Sequence, residues 1–225
     1  MIRPSAYILI AAFEEATVIG QVIADCQKAG YDHVIIVDDG SSDITGDIAR
    51  QAGGIVLTHV LNCGKSASIS TGLRYIQSLA GPDDIVVLID ADGQHLPSEI
   101  TLLVQPLLTN TSLDLTYGVR TLTRDTPLIN RLGRILGDWI SILYTGKRFE
   151  DSQCGFRALR LRTITGLELG IDRYAIETQM LRHIVEHHLT SMPVKISNVY
   201  TSYSKNKHHK QGVMQGLKTL VSLAQ

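Results

Sequence analysis

Asp90 and Asp92 stand one residue apart, directly after five apolar residues (Ile85-Val86-Val87-Leu88-Ile89) and just before Gly93 and Gln94. An unbroken, mostly β-branched run predicts a strand buried on both faces, as in the middle of a parallel sheet. Ligands of open α/β sheets bind outside the carboxyl ends of the strands. Two carboxylates crowded there repel each other and lose hydration, so a positive charge is expected between them. A divalent ion carrying a diphosphate meets that need, because Mg²⁺ or Mn²⁺ takes oxygen ligands and brings phosphates with it. The bland alternative is a pair that only turns the chain and caps the helix starting near Pro97.

Other motifs are weighed the same way. Asp38-Asp39-Gly40-Ser41-Ser42-Asp43 closes a second apolar run. Alone it would mark a hairpin turn; at the end of a buried strand its carboxylates suit a base or a ribose. Gly64-Lys65-Ser66 invites comparison with a P-loop, but the glycine needed five residues earlier is His59, so the backbone cannot wrap a phosphate in that way. Asp90-Ala91-Asp92-Gly93 echoes the aspartyl-phosphate phosphatases, yet it follows a fourth strand rather than a first. His183-Ile184-Val185-Glu186-His187 has a zinc-peptidase spacing, but no acidic residue follows Glu186. It reads as the solvated face of an amphipathic helix.

The elements that must position these residues alternate. Strands are predicted over residues 6–13, 33–37, 54–59, 85–89 and 113–119. Helices are predicted over 16–29, from the end of the 38–43 loop to Gly53, and over 67–80 and 97–108. Short, regular alternation means βαβ units and a doubly wound sheet. The three acidic or phosphate-friendly strand ends should then line one crevice. Past residue 120 the pattern changes. Residues 121–130 are polar and basic, with Arg120, Arg124 and Arg131 close in sequence; a helix is expected over 132–144 around Trp139, a polar turn over 151–157, a helix over 174–188 and a strand over 194–203. The tail is basic and free of acids, and residues 213–223 have apolar side chains at helical spacing. They would either lie on an anionic membrane or pack on the sheet.

Bulk properties narrow the class. The chain has 225 residues, 44% hydrophobic content and a formal charge of −1. That suits a single domain (1–225) with a sizeable core and argues against a nucleic-acid-coating protein. Three scattered cysteines point to reduced thiols and a cytoplasmic location. No run approaches the ~20 apolar residues that span a bilayer.

Six blocks in order, residues 10–15, 37–43, 62–72, 90–95, 151–157 and 174–180, resemble the family 2 glycosyltransferases, in particular the polyprenyl-phosphate (dolichyl-phosphate) hexosyl synthases. The resemblance covers nearly the whole chain. It implies an α/β fold of the GT-A type, a doubly wound mixed sheet flanked by helices, with a nucleotide-sugar half (1–120) and an acceptor half (121–225). It also implies a UDP- or GDP-sugar donor, Mg²⁺ or Mn²⁺, a lipid-phosphate acceptor, and work at the cytoplasmic face of a membrane or beside a membrane-anchored subunit. By the same resemblance Ala11, Phe13, Glu15, Asp39, Lys65, Asp90 and Ala91 contact the nucleotide, and Asp90, Asp92 and Gln94 hold the metal. Arg120, Arg131 and Gln153 face the diphosphate or acceptor, and Asp92, Arg131, Asp151 and Glu177 form the catalytic set. Where the family's first motif usually reads Pro-x-Tyr-Asn-Glu, this chain has Ala11, Phe13 and Glu14, which alters the base contacts. The implied reaction is an inverting transfer. A lipid phosphate would need no general base, a sugar hydroxyl would need Asp151 as one, and a nucleotide-sugar-binding subunit without activity is the non-enzymatic alternative.

Overall fold

The computed structural model describes residues 4–122, 126, 128–164, 167 and 176–199. Its strands are β1 (Ala6–Ala12), β2 (Val34–Asp38), β3 (Ile55–Thr58), β4 (Ile85–Leu88), β5 (Leu115–Arg120), β6 (Arg157–Arg160) and β7 (Ser191–Ile196). The helices are α1 (Ile19–Lys28), α2 (Thr45–Gln51), α3 (Lys65–Gln77), α4 (Ile100–Thr109), α5 (Leu128–Thr145) and α6 (Ile176–Glu186). One mixed sheet in the order β3-β2-β1-β4-β6-β5-β7 holds the described residues together. β1 to β4 run parallel, β6 is antiparallel to both β4 and β5, and β7 is parallel to β5. The doubly wound mixed sheet expected from the sequence is present.

Side chains alternate across a strand, so each strand feeds two cores. Ile8, Ile10, Val87 and Ile89 pack with α1 and α4 on one face. Leu9, Val86 and Leu88 pack with α3 and α6 on the other. This alternation continues past the end of β4 and decides where the acidic tip points. Ala91 falls into the α1/α4 core, whereas Asp90 emerges on the side of α3 and α6.

Three elements differ from expectation. The polar turn over 151–157 leads into β6, which the sequence hid because Arg157 and Arg160 bound it. Both guanidinium groups are buried and are satisfied by backbone carbonyls. Arg157 donates to Ser152, Cys154 and Glu177, and Arg160 to Asp83, Leu107 and Leu113. A buried charge is tolerated when its hydrogen bonds are made inside the fold. β7 starts at Ser191, ahead of the predicted 194; Pro193 is accepted because, among the described residues, β7 pairs with β5 alone and an edge strand can spare one donor. His183, assigned to a solvated face, is buried and its Nε2 lies 2.8 Å from the Thr163 carbonyl. Arg124, the start of the helix predicted from 174 and the segment from 200 onward lie outside the described residues.

Candidate active site

Gly64 adopts φ +91°, a conformation open to glycine, and so turns the chain from β3 into the first residue of α3, Lys65. The Lys65 ammonium reaches Asp90 Oδ1 at 2.6 Å and Glu177 Oε1 at 2.8 Å. It therefore ties the end of β4 to the first turn of α6. Burial by itself would discharge these groups, but their mutual attraction prevails. The Lys65 charge and a contact from His95 hold the Asp90 carboxyl well below its ordinary value, and the two carboxylates hold Lys65 above its own. The positive charge that the sequence demanded at the strand end is thus supplied by the chain itself at Asp90.

Around this bridge lies a cleft lined by Ala11, Lys65, Asp90, Gly155, Arg157 and Glu177. Gly155 is needed here: a Cβ at this position would stand 2.7 Å from Asp90 Oδ2. His95 approaches the same oxygen at 3.4 Å and leans on the Phe156 ring at 5.1 Å. Its buried Nδ1 has no hydrogen-bond partner among the described residues. Asp92 is oriented by its own turn, accepting from Gln94 N at 3.0 Å and Gln94 Nε2 at 2.6 Å. Asp90, Asp92 and the Gln94 amide offer oxygen donors at a single strand end, the donor chemistry that Mg²⁺ and Mn²⁺ prefer.

The other nucleotide-site candidates gather at the neighbouring strand ends with different employments. Asp39 is buried and accepts from Cys63 N (3.0 Å) and Gly64 N (2.7 Å), while His59 Nδ1 lies 2.7 Å away. Its carboxylate thereby clasps the loop that aims Lys65. Phe13 follows β1 and is exposed. Glu15 is buried, its N–H donates to Thr45 Oγ1 at 2.8 Å, and its carbonyl accepts from Val18 and Ile19 at the start of α1. The Ala91 side chain faces the α1/α4 core rather than the cleft.

The second half builds its own charged cluster. Asp151, fully buried and at φ +48°, is gripped by Arg120 through Nε (2.8 Å), Nη2 (2.7 Å) and the backbone N–H (2.8 Å). Arg134 Nε stands 3.8 Å away. Burial would raise the Asp151 pKa, but the Arg120 hydrogen bonds and charge hold it below 3.8. Arg134 also donates to the Arg120 carbonyl at 2.8 Å, and Asp138 accepts the Ser152 amide at 2.8 Å. Gln153 packs on Gly137 and donates to Thr178 Oγ1 at 3.1 Å. Arg131 Nε donates to the Thr126 carbonyl at 3.2 Å.

Comparison with known proteins places the chain that carries this site. Residues 7–163 fit the family model described as Glycosyl transferase family 2. The chain belongs to that family. This glycosyltransferase is 32% identical to an uncharacterized protein of Methanocaldococcus jannaschii over 98% of this chain and 91% of the relative. It is 31% identical to the UDP-N-acetylglucosamine–dolichyl-phosphate N-acetylglucosaminyltransferase of Methanococcus voltae, over 88% of this chain and 87% of that one. Its fold resembles glucosyl-3-phosphoglycerate synthase from Mycobacterium tuberculosis, crystallised with Mn²⁺, UDP-glucose and phosphoglyceric acid. That likeness has a TM-score of 0.66 at 20% identity and covers 96% of this chain and 79% of the other.

Sequence reasoning on this glycosyltransferase missed Arg134, Asp138 and Arg157. The first two were within reach: residues 131, 134 and 138 share one helix face at spacings of three and four. Both lie inside the helix expected over 132–144, one turn apart on its polar face. Arg157 gave no signal, because its role depends on carbonyls brought to it by α6 and the 152–154 turn.

Proposed function

We propose that this glycosyltransferase moves a sugar from a nucleoside diphosphate donor to the phosphate of a polyprenyl lipid, with inversion and with Mg²⁺ or Mn²⁺ held by Asp90, Asp92 and Gln94. Residues 1–120 take the donor and the remainder takes the acceptor. When bound, the cation would neutralise charge gathering on the departing nucleoside diphosphate. Lys65 offers an ammonium at the same cleft, and Glu177 and Asp90 keep it there. Ala11, Phe13 and Glu15 flank the place for base and ribose at the end of β1. Arg120, Arg131 and Arg134 gather positive charge where an acceptor phosphate would approach.

The observation that carries the acceptor class is the state of Asp151. A sugar hydroxyl must lose a proton as it attacks, and by the family resemblance Asp151 would have to take it. Yet Arg120 occupies both its oxygens and holds its pKa low, which makes it a poor base. A lipid phosphate has its second pKa near ~6 and is mostly dianionic at pH 7, so it attacks without one. The Methanococcus voltae relative, named for a dolichyl-phosphate acceptor, supports the same reading.

The test is transfer from a panel of labelled UDP- and GDP-sugars to detergent-dispersed polyprenyl phosphate or to free saccharides, with EDTA, Mg²⁺ or Mn²⁺. Label is expected on the lipid phosphate, abolished by EDTA and restored by either ion. Transfer confined to saccharide hydroxyls, with the pH profile of a lost base in Asp151→Asn, overturns the acceptor. Full activity in EDTA overturns the metal.

A further inference from the structure

The ends of β2 and β3 carry a cluster with a chemistry of its own. Asp38 pairs with Thr58 in the parallel register of these strands, so Asp39 and His59 follow side by side. The loop after β3 folds back over them, and Cys63 and Gly64 give their amides to the Asp39 carboxylate. Among the described residues one group thereby brings three different donor atoms together. An Asp39 carboxylate oxygen, a His59 ring nitrogen and Cys63 Sγ all lie within 4.8 Å of one another. His59 Nδ1 stands 2.7 Å from Asp39 Oδ1, and its Nε2 stands 2.9 Å from Thr71 Oγ1 on α3. Cys63 is the exposed cysteine, its thiol donating to the Leu61 carbonyl at 3.3 Å. Cys26 and Cys154 are buried, and burial pushes their thiols up to about 12 and about 11.

We propose that Asp39, His59 and Cys63 form a site for a thiophilic divalent cation such as Zn²⁺, separate from the Mg²⁺ or Mn²⁺ site at Asp90, Asp92 and Gln94. Carboxylate, imidazole and thiolate are the ligand types of zinc, and three of them leave a fourth position for water. Mg²⁺ and Mn²⁺ keep to oxygen donors and are not drawn to this set. The surrounding hydrogen bonds are already arranged for an ion. A proton bridges His59 and Asp39; an ion taking its place sends that proton to Nε2, where Thr71 Oγ1 accepts it. Metal-bound histidines are anchored in this way through their second nitrogen. The Cys63 thiol gives its proton to solvent, as metal-binding thiols do. A carboxylate has about four lone-pair sites, so Asp39 can take the ion and keep both amides. Zinc bonds of about 2.0–2.3 Å set ligand atoms roughly 3.3–3.8 Å apart. Nδ1 and Oδ1 would part by about half an ångström on that account, and the exposed loop of Cys63 supplies the remaining adjustment. Once filled, the site covers the carboxylate that the family resemblance gives to the nucleotide. Zinc and donor would then exclude each other, a consequence that rests on the donor reading above; the site itself does not.

The test loads the reduced full chain, without nucleotide, with Co²⁺, whose spectrum reports its ligands. One Co²⁺ per chain is expected, with the visible bands of a tetrahedral ion and a thiolate-to-cobalt band in the near ultraviolet. Zn²⁺ should displace it, and a large excess of Mg²⁺ should not. Cys63→Ser, at an exposed position, should keep the metal-free Tm and lose the sulfur band. Thr71→Val should keep that band and bind Co²⁺ on the order of tenfold more weakly. Added Zn²⁺ should raise the Tm of the wild type and leave that of Cys63→Ser unmoved. Absence of a sulfur band at stoichiometric Co²⁺ overturns the proposal, because imidazoles alone, such as the stacked His183 and His187, give visible bands without it. A sulfur band that survives Cys63→Ser overturns it too. So does one Co²⁺ per two chains, which would make Cys63 a bridge between copies. Zinc inhibition of transfer at saturating Mg²⁺, absent in Cys63→Ser, would support the exclusion of donor. Uninhibited transfer beside an intact cobalt spectrum would keep the site and withdraw Asp39 from the donor contacts.

Discussion

α1 and α5 are both amphipathic, and the fold uses them in opposite senses. α1 buries Ile19, Val22, Ile23 and Cys26 against the sheet. α5 turns Arg134, Asp138 and Ser141 inward and leaves its leucines and Trp139 in water. The reason lies in what each helix meets. α1 packs on the apolar faces of β1 and β2, where a charge would lose hydration without a partner. α5 meets Asp151, Ser152 and Gln153, whose backbone and carboxyl groups need polar partners. A 3.6-residue period therefore specifies that a stripe exists; the neighbouring surface decides which stripe faces in.

The sharpest way to break this comparison is to truncate both faces equally. Ile23→Ala, from a fully buried site, should cost about 2–5 kcal/mol in urea denaturation. If Ile135→Ala costs as much, α5 is not mounted as described. Next comes the polar counterpart of the α1 core. Asp151→Asn leaves Arg120 without its partner and should cost about 3 kcal/mol. Because the folded carboxyl sits below 3.8, the unfolded one takes up its proton first on acidification. The contribution of Asp151 is thus complete at neutral pH and is lost as pH falls from about 3.8 towards the lower folded value. Denaturation measured from pH 6 to pH 3 should show a decline in wild type that the variant lacks in part.

Lys65→Met should lower kcat/KM for transfer on the order of 100-fold, measured with labelled nucleotide sugar. Gly155→Ala drives a methyl into the Asp90 carboxylate and should cost about 1–3 kcal/mol, read as weaker donor protection in thermal shift. The smallest effect is the comparator itself: Ile135→Ala should change stability by no more than about 0.5 kcal/mol.

Much of the first half was legible because local and long-range preferences agree there. Buried strands of apolar residues, helices closed by Gly30 and Gly53, and the acidic strand tips all appear where the alternation puts them. Lys65 was named, but its two partners were not foreseen, since Glu177 is 112 residues away in sequence and a strand end does not reveal which helix will cover it. β6 was hidden for a related reason. Arginines at both ends argue against a central strand unless carbonyls wait for them; those of Ser152, Cys154 and Glu177 receive Arg157 and those of Asp83, Leu107 and Leu113 receive Arg160, gathered there by the fold.

By itself, the sequence determined the alternation of strands and helices, the family, and the presence of an acidic tip after a buried strand. These follow from periodicity and residue type, which act over a few residues. The tertiary structure alone decided that Asp90 is met by Lys65 and Glu177, that Asp151 is neutralised by Arg120, and that the apolar stripe of α5 looks outward. Each of those depends on groups far apart in the chain whose charges and desolvation are settled only when they share one surface.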